Sequence, residues 1–214
     1  MWYNSIMIIK KLLTYVLATI IGLSSFIGTR VWMDSQSFSA PRSYVLKAES
    51  DQGSGSLVMV APGLALTAAH VSGTDGNRLK VNGQLIKVVK INFDLDVALV
   101  AVSAPCPCAP LGVLPEEDDR VVAVGFPLTV SQFATVGHMQ GLSPNNNHLL
   151  ASAPIIFGNS GGGLFAFQQG QWKLVGITVN MAGANLGMFG VPVPHIVGSV
   201  PITSIMEWLH DRRS

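Results

Sequence analysis

The chain has 214 residues, of which 49% are hydrophobic and 12% are charged, and its formal net charge is +1. This composition excludes a disordered chain and is long enough to bury a sizeable core. No basic run is longer than a pair, which excludes the electrostatic footprint of a nucleic-acid-binding protein. The 22 glycines favour strands joined by turns over long helices.

The N-terminal residues have the layout of a targeting segment. Lys10 and Lys11 precede an apolar run from Leu12 to Ile27. This run is long for the core of a signal peptide and short for a membrane span. We therefore predict a signal peptide or signal anchor over residues 1–30, and an uncleaved anchor is favoured because no convincing cleavage site follows the run. Lysines before the run predict export of the remainder, membrane-anchored and facing the periplasm or exterior, or secreted if the segment is cleaved.

A linker over residues 31–43 leads to a strand-rich domain, predicted over residues 44–113. The turn residues Pro62-Gly63 lie between two apolar runs, the second of which ends in Thr67-Ala68-Ala69-His70. Asn82-Gly83 is a strong hairpin signal for a second pair of strands. Another apolar strand is predicted directly after Asp94-Leu95-Asp96. Short strands at this spacing indicate a barrel or a sandwich.

Four prolines and an acidic run between Ala104 and Asp119 mark the boundary to a second domain, predicted over residues 114–214. This domain holds further short strands and a C-terminal helix from Thr203 to Arg213, with Thr203 as its cap. Cys106 and Cys108 lie on either side of one proline at the boundary. A bridge between them would be strained, so free thiols, a labile bridge and an intermolecular link all stay open.

The most informative stretch is Gly158-Asn159-Ser160-Gly161-Gly162-Gly163. Glycines allow a sharp turn that presents the hydroxyl of Ser160 and aligns backbone N–H groups toward an oxyanion. The alternative is a glycine-rich hairpin turn without chemistry. A nucleophilic serine needs a base, and the base needs an orienting acid.

His70 at a strand end is the candidate base, with Asp96 or Asp94 as its acid. The other histidines have no such setting, and surface or packing roles are expected for them. These are His138, His148, His195 and His210.

Three stretches together resemble the catalytic boxes of chymotrypsin-fold, trypsin-like serine proteases: Thr67-Ala68-Ala69-His70, Asp96-Val97-Ala98-Leu99 and Gly158-Asn159-Ser160-Gly161-Gly162. The form of the third box, and Gly53-Ser54-Gly55 before the histidine hairpin, are most similar to the HtrA-like bacterial branch. The resemblance runs from about Gly53 to Pro194.

The resemblance implies an all-β fold of two six-stranded antiparallel β-barrels with the site in the cleft between them. It implies catalytic roles for His70 and Asp96 from the first barrel and Ser160 from the second, and it favours Asp96 over Asp94. The implied reaction is cleavage of peptide bonds through an acyl-enzyme intermediate, with an oxyanion held by Gly158 and Ser160, and by Asn159 as a further candidate.

Departures from the family pattern also carry information. Asn159 stands where secreted digestive members have an acid that captures a new N-terminus, so no activating cut is expected. The chain is expected to lack the PDZ module that HtrA-like proteins often carry. The implied substrate pocket is apolar, which predicts a small or medium apolar residue on the acyl side of the cut. Its residues are Pro154, Ile155, Val179, Asn180 and Met181.

Two other functions compete with a protease. The residues around Ser160 also fit the Gly-x-Ser-x-Gly motif of an α/β-hydrolase esterase, but that fold places its acid and histidine after the serine. A catalytically silent, membrane-tethered binding protein on a protease fold is the other alternative, against which the intact set of His70, Asp96 and Ser160 argues. The expected partners are a protein or peptide substrate, the membrane through an uncleaved N-terminal segment, and a second copy in a possible homo-oligomer. No nucleic acid, cofactor or metal is expected.

Overall fold

The computed structural model describes residues 15–25, 27–29, 37–50, 53–72, 79–105, 107–127, 131–186 and 189–211. The chain divides into two compact units, Met1–Ser37 and Phe38–Ser214. In the first unit, residues 15–25 and 27–29 are helical and solvent-exposed. The helices of the described ranges are all too short or too polar to cross a bilayer. Residues 1–14, 26 and 30 of the predicted targeting segment lie outside the described residues, so that segment stays a prediction.

In its described residues, the second unit is built almost entirely from antiparallel strands, with three short helices. The helices are α1 (Ser39–Ser43), α2 (Ala69–Ser72) and α3 (Ile202–His210). The strands are β1 (Val45–Ser50), β2 (Gly53–Ala61), β3 (Leu64–Ala68), β4 (Lys80–Val81), β5 (Gln84–Leu85), β6 (Lys87–Asn92), β7 (Val97–Ala101), β8 (Arg120–Gly125), β9 (Phe133–Leu142), β10 (Leu149–Ala151), β11 (Gly163–Gln168), β12 (Gln171–Leu186) and β13 (Phe189–Pro201).

The first half of this unit is a seven-stranded sheet in the order β5-β4-β1-β2-β3-β7-β6. The predicted hairpins form: β2 pairs with β3, and β4 pairs with β5 around Asn82 and Gly83. Both turn residues have positive φ, 51° and 77°, as a type I′ hairpin turn requires. In the described residues the strand pairing of this half does not close into a barrel, because β5 and β6 end the sheet without pairing to each other.

The second half is a closed barrel of six strands in the order β10-β13-β12-β11-β8-β9. Its interior is filled by a buried apolar cluster that includes Met139, Leu149, Leu164 and Val197. The predicted all-β, chymotrypsin-like architecture is therefore confirmed, with one closed barrel and one open, barrel-like sheet in place of two closed barrels.

A second apolar cluster joins the two halves and α3. It contains Leu66 and Val97 from the first sheet, Phe165 from the barrel, and Trp208 from the helix. The Lys90 ammonium donates a hydrogen bond of 2.9 Å to the Trp208 carbonyl, and a cation at this position suits the negative end of a helix. This packing fixes the relative position of the two halves, on which a site between them depends.

Two predicted boundaries are corrected. Residues 39–43 of the expected linker form α1, whose Pro41 is buried in the second unit. The C-terminal helix begins at Ile202, with Pro201 at the cap position and no side-chain cap, so Thr203 lies inside the helix. The prediction of Thr203 as the helix cap is wrong, because Pro201, with its fixed φ of −58°, ends β13 and begins the helix.

Candidate active site

His70 and Asp96 contact each other twice at one edge of the first sheet. The His70 Nδ1 atom lies 2.7 Å from Asp96 Oδ2, and the His70 amide donates to Asp96 Oδ1 across 2.9 Å. The neighbouring Ala69 amide donates to the backbone oxygen of Asp96 across 3.0 Å. With both carboxylate oxygens engaged, the Asp96 side chain sets the orientation of the imidazole. The opposite nitrogen, Nε2, is then left to face a reacting group.

The backbone explains why Asp96, and not Asp94, meets the histidine. Asp96 closes the turn between β6 and β7 with φ of +55°, a left-handed conformation that aspartate tolerates better than most residues. Its amide donates to the Phe93 carbonyl across 3.3 Å. Asp94 lies within the same turn and is exposed. Strands β3 and β7 pair from Leu64↔Ala101 to Ala68↔Val97, which brings the start of α2 beside this turn.

Ser160 lies on a tight turn that is clamped between the two halves. Its carbonyl accepts a hydrogen bond of 2.8 Å from the Ser56 amide of β2. The next residue, Gly161, donates to the Thr178 carbonyl across 2.7 Å. Gly161 has φ of +81°, and a Cβ there would collide with the Ser56 carbonyl and the Thr67 hydroxyl. Only glycine fits this position, because both the conformation and the space exclude a side chain.

The serine turn and the histidine helix face each other across Gly55. A Cβ built on Gly55 would lie 2.6 Å from the side chain of Val71, the neighbour of His70, and 3.1 Å from the Ser160 carbonyl. The half-exposed imidazole and the partly exposed serine therefore belong to segments that lie on either side of Gly55. Among the described residues, no hydrogen bond joins the Ser160 hydroxyl to His70. Such bonds commonly tighten only when substrate binds.

Two backbone amides are available to an oxyanion beside Ser160. Gly158 has φ of +96° at the third position of the turn Ile156–Asn159, where a type II turn requires a positive φ. In the described part of the chain, neither the Gly158 amide nor the Ser160 amide donates to a protein group. The Asn159 amide donates to the Ile156 carbonyl across 3.2 Å. The Asn159 N–H therefore closes the turn in this structure, and its role as a further oxyanion donor stays a prediction.

Ser56 is a residue of this site that the sequence did not single out. It is fully buried, its hydroxyl accepts from the Phe126 amide across 2.9 Å, and it donates to the Gly158 carbonyl across 3.1 Å. The Thr67 hydroxyl in turn donates to the Ser56 carbonyl across 2.7 Å. In the sequence, Ser56 follows Gly53-Ser54-Gly55 and Thr67 opens the histidine box, but neither position indicates the contact with the serine turn. These two hydroxyls hold the serine turn in its place on the first sheet.

The predicted pocket residues fall into two groups. Ile155 and Val179 are 4% exposed and belong to different apolar clusters, while Met181 packs against the cluster that contains Ile155. Pro154 and Asn180 are exposed. Asn180 lies over Gly198 of β13, where a Cβ would collide with its side-chain oxygen. The structure therefore brings Pro154 and Asn180 to the surface and uses Ile155 and Val179 as core.

The Asp96 carboxylate also affects the pKa of a second histidine, His148. Burial lowers the pKa of His148, and the Asp96 carboxylate partly opposes that shift. The His148 Nδ1 atom lies 3.1 Å from the Asn146 amide nitrogen. This histidine is partly buried, and its surface or packing role stays a prediction.

Comparison with known proteins gives one family and a consistent set of folds. Residues 53–177 match the family model described as trypsin-like peptidase domain. No curated protein is significantly similar to the chain in sequence.

Solved structures extend the match beyond that segment. The active form of the Rv3671c protease from M. tuberculosis is 21% identical, with 80% of this chain and 81% of that chain covered and a TM-score of 0.64. The HtrA-type protease AlgW with a tripeptide is 24% identical over 80% and 60% of the chains, at 0.63. The serine endoprotease from Yersinia pestis is 24% identical over 85% and 65%, at 0.64. These likenesses show the fold.

Proposed function

The chain belongs to the trypsin-like peptidase domain family, and we propose that it is a serine endopeptidase that acts through Ser160, His70 and Asp96. The observation that carries the proposal is the double contact between His70 and Asp96, because it fixes the orientation of the imidazole next to the turn that carries Ser160. A carboxylate that accepts hydrogen bonds from both the backbone amide and the ring of one histidine fixes the tautomer of that ring. An ion pair on the solvated surface of a protein needs no such fixed orientation.

The first half of the reaction forms an acyl-enzyme. The Ser160 oxygen attacks the scissile carbonyl carbon while His70 Nε2 accepts the hydroxyl proton. Asp96 stabilises the imidazolium that results, since its Oδ2 lies 2.7 Å from Nδ1. The carbon–nitrogen bond then breaks as His70 returns its proton to the leaving amine. The acyl group is left as an ester on Ser160.

The Gly158 and Ser160 amides would hold the negative oxygen of the tetrahedral intermediate. Their N–H groups form no hydrogen bond to described protein groups, and the positive φ of Gly158 sets the turn that carries them. Each such donor is worth about 3 kcal/mol of transition-state stabilisation. In the second half of the reaction, water replaces the amine and the same residues act in reverse to release the acid.

Further proposals concern specificity and location. An apolar stretch at Ile155 to Phe157, before the nucleophile, supports a small or medium apolar residue on the acyl side of the cut. Ile156 and Phe157 are exposed there. The basic-then-apolar order of residues 10–27 supports export, with the catalytic unit outside the cytoplasm.

Fluorophosphonate labelling followed by peptide mass spectrometry tests the proposed function. We expect a single adduct on Ser160, no adduct in Ser160→Ala, and hydrolysis of casein by the unmodified protein only. Labelling without caseinolysis would favour an esterase, and absence of labelling in a folded protein would favour a silent binding protein. His138→Gln is a matched control, because His138 lies on β9 with no hydrogen bond from its ring to the site.

A further inference from the structure

A cavity of about 440 Å³ lies in the first half of the catalytic unit, at the end of β7 opposite to Asp96. Residues 84–87, which connect β5 to β6, line one side of it. Residues 101–105, where β7 ends and the connection to the second half begins, line the other side. The turns at Gly63 and Asn82 complete its border. The residues of this cavity are separate from those of the candidate active site.

Strand pairing stops on one side of β7 where the cavity begins. The ladder between β6 and β7 ends at the pair Lys87↔Ala101. The same register, continued by two residues, would set Leu85 opposite Ser103. On its other side β7 stays paired for one residue more, since the Val102 amide donates to a carbonyl of the β2–β3 turn across 2.9 Å. The cavity therefore separates two segments that the register of the sheet would otherwise bring together.

The alternation of hydrogen bonds leaves the backbone groups of Leu85 on the side of the cavity. β4 and β5 flank a two-residue turn, so their first pair is hydrogen-bonded and their second pair, Lys80↔Leu85, is not. The next amide along the chain, that of Ile86, again donates to the β4 side, to the Leu79 carbonyl at 2.9 Å. The N–H and C=O groups of Leu85 consequently point away from β4.

The backbone groups of Ser103 border the same gap from the opposite side. Neighbouring residues of an extended chain direct their N–H and C=O groups to opposite sides, and the Val102 amide points to the β2–β3 turn. In the described part of the chain, the amide and carbonyl of Ser103 form no hydrogen bond. Each border of the gap thus offers one donor and one acceptor. A strand placed between the two borders would satisfy both sets.

We propose that this cavity binds an extended segment of a partner protein, which inserts as a strand between Leu85 and Ser103. The segment bonds to Leu85 along one of its edges and to Ser103 along the other. The first sheet then continues from β5 to the end of β7 without a gap. This site lies apart from the candidate active site, and its occupation does not depend on the chemistry of Ser160.

The side chains around the cavity define the segment that fits. Its lining includes three buried apolar residues, Val81, Ile86 and Val102. Lys87 is exposed at the border and is the one charged residue of the lining in the described ranges. Because side chains alternate along a strand, a segment with apolar residues on one face and acidic residues on the other matches both features.

The surroundings of Lys87 strengthen the preference for acidic residues. Lys80 lies opposite Leu85 on β4, and Leu85 is two residues from Lys87, so the three side chains share one exposed face. The nearest carboxylate in this register is Glu49, opposite Lys80 on β1. It already accepts a hydrogen bond of 2.7 Å from the Lys47 ammonium. The described residues therefore leave an excess of positive charge beside the cavity, which favours an acidic partner.

Calorimetric titration with a blocked hexapeptide of alternating valine and glutamate provides the first test. The whole chain with Ser160→Ala is used, so that the peptide stays intact. We expect a Kd below about 1 mM, and binding at least about fivefold weaker when lysine replaces glutamate in the peptide. N-methylation of either alternate set of peptide amides should weaken binding, because an inserted strand bonds along both edges. A strand that docks on a single edge would be sensitive to one set only.

Charge reversal at the border of the cavity assigns the binding to this site. Lys87→Glu should weaken binding of the glutamate peptide and strengthen binding of the lysine peptide. Lys173→Glu is the matched control, a lysine on β12 of the second half whose ammonium bonds to Gln169, and it should leave both affinities unchanged. The melting temperature of each variant establishes that it is folded.

Paired cysteines test whether the gap stays open in the free protein. Residues that face each other in a sheet have Cα atoms about 4.5–5.5 Å apart, close enough for a disulfide. In a background with Cys106→Ser and Cys108→Ser, Lys87→Cys with Ala101→Cys should therefore oxidise to a bridge. Leu85→Cys with Ser103→Cys should stay reduced under the same mild oxidant. Equally rapid bridging of the second pair would show that the ladder closes by itself and would overturn the proposal.

The remaining outcomes are equally decisive. Absence of binding by the valine–glutamate peptide up to about 2 mM overturns the proposed site. Equal affinity of the fully N-methylated peptide would show that the cavity binds apolar groups without strand insertion, as for a lipid chain. An unchanged preference in Lys87→Glu would place the binding elsewhere on the protein. Each of these results leaves the endopeptidase standing, because fluorophosphonate labelling of Ser160 tests that function separately.

Discussion

The Ser56 hydroxyl donates a hydrogen bond of 3.1 Å to the Gly158 carbonyl and accepts one of 2.9 Å from the Phe126 amide. This buried serine connects β2 to the turn that carries both candidate oxyanion donors. The Gly158 carbonyl lies in the peptide unit directly after the one that contains the Gly158 N–H. A hydrogen bond that fixes this carbonyl therefore also limits the direction in which the Gly158 N–H points. Ser56 therefore acts as a positioning residue, without touching the reacting atoms.

Ser56→Ala is expected to lower kcat about tenfold with little change in KM, because a mispositioned donor weakens binding of the transition state only. It is also expected to destabilise the fold by about 1 kcal/mol or more, since the partly buried Phe126 amide loses its acceptor. Steady-state kinetics and urea unfolding measure the two effects. Ser199→Ala is the matched control, a buried serine whose hydroxyl lies 3.4 Å from that of Thr178. An equal loss of kcat in Ser199→Ala would contradict the positioning role.

Asp96→Asn is expected to reduce kcat by about three to four orders of magnitude, because an amide in place of the carboxylate favours the wrong imidazole tautomer. Asp94→Asn is expected to change kcat less than about twofold, since Asp94 is exposed and the His70 ring bonds to Asp96. Kinetics on one peptide substrate with both variants decides between the two acids. A large loss of kcat in Asp94→Asn together with a small loss in Asp96→Asn would show that Asp94, and not Asp96, orients the histidine.

Gly161→Ala and Gly170→Ala separate backbone strain from crowding. The two glycines have nearly the same φ, +81° and +79°, but a Cβ on Gly161 would meet the Ser56 carbonyl and Thr67 hydroxyl, whereas that on Gly170 meets nothing within 4 Å. Gly170→Ala is expected to cost about 1–2 kcal/mol, the penalty of a left-handed alanine.

Gly161→Ala is expected to cost clearly more, because the serine turn must move away from β2, and to abolish fluorophosphonate labelling. Urea unfolding of both variants measures the difference. Equal destabilisation with labelling retained would show that the turn is not clamped against the first sheet.

His148 is expected to make stability depend on pH. Burial lowers its pKa, so the folded state holds the neutral imidazole where the unfolded state already binds a proton. Stability is then lost as the pH falls below the ordinary histidine pKa of about 6.5 and continues to fall toward the lowered folded-state pKa. His148→Gln should reduce the difference in free energy of unfolding between pH 7.5 and pH 5.5. These measurements belong in a Ser160→Ala background, which prevents self-cleavage. An unchanged difference would contradict the assignment.

Much of the fold was predictable because its signals are local. The Asn82-Gly83 turn, the hairpin before His70 and the strand after Asp96 each follow from residue types that allow few conformations. The glycines around Ser160 predict the turn for the same reason. The contact between His70 and Asp96 needed the resemblance to a family, because the residues are 26 apart and no local rule joins them.

Other features depend on long-range packing and were not predictable from the chain alone. Ser56 lies 102 residues from Gly158, and no local pattern in the sequence indicates that they meet. The Asn159 amide donates its hydrogen bond to the Ile156 carbonyl and so closes a turn, and that closure depends on the backbone conformation of Gly158. Val179 lies at a bulge of β12 between Thr178 and Asn180, where the alternation of residue types no longer indicates which side chains face the core.

A crystal structure of the protein covalently modified by a peptidyl phosphonate tests the central claim most directly. The account predicts phosphorus bonded to the Ser160 oxygen, a phosphonyl oxygen about 2.7–3.1 Å from the Gly158 and Ser160 amides, and His70 Nε2 within hydrogen-bond distance of the Ser160 oxygen. A phosphonyl oxygen turned away from both amides, with the His70 ring out of reach of Ser160, would contradict it.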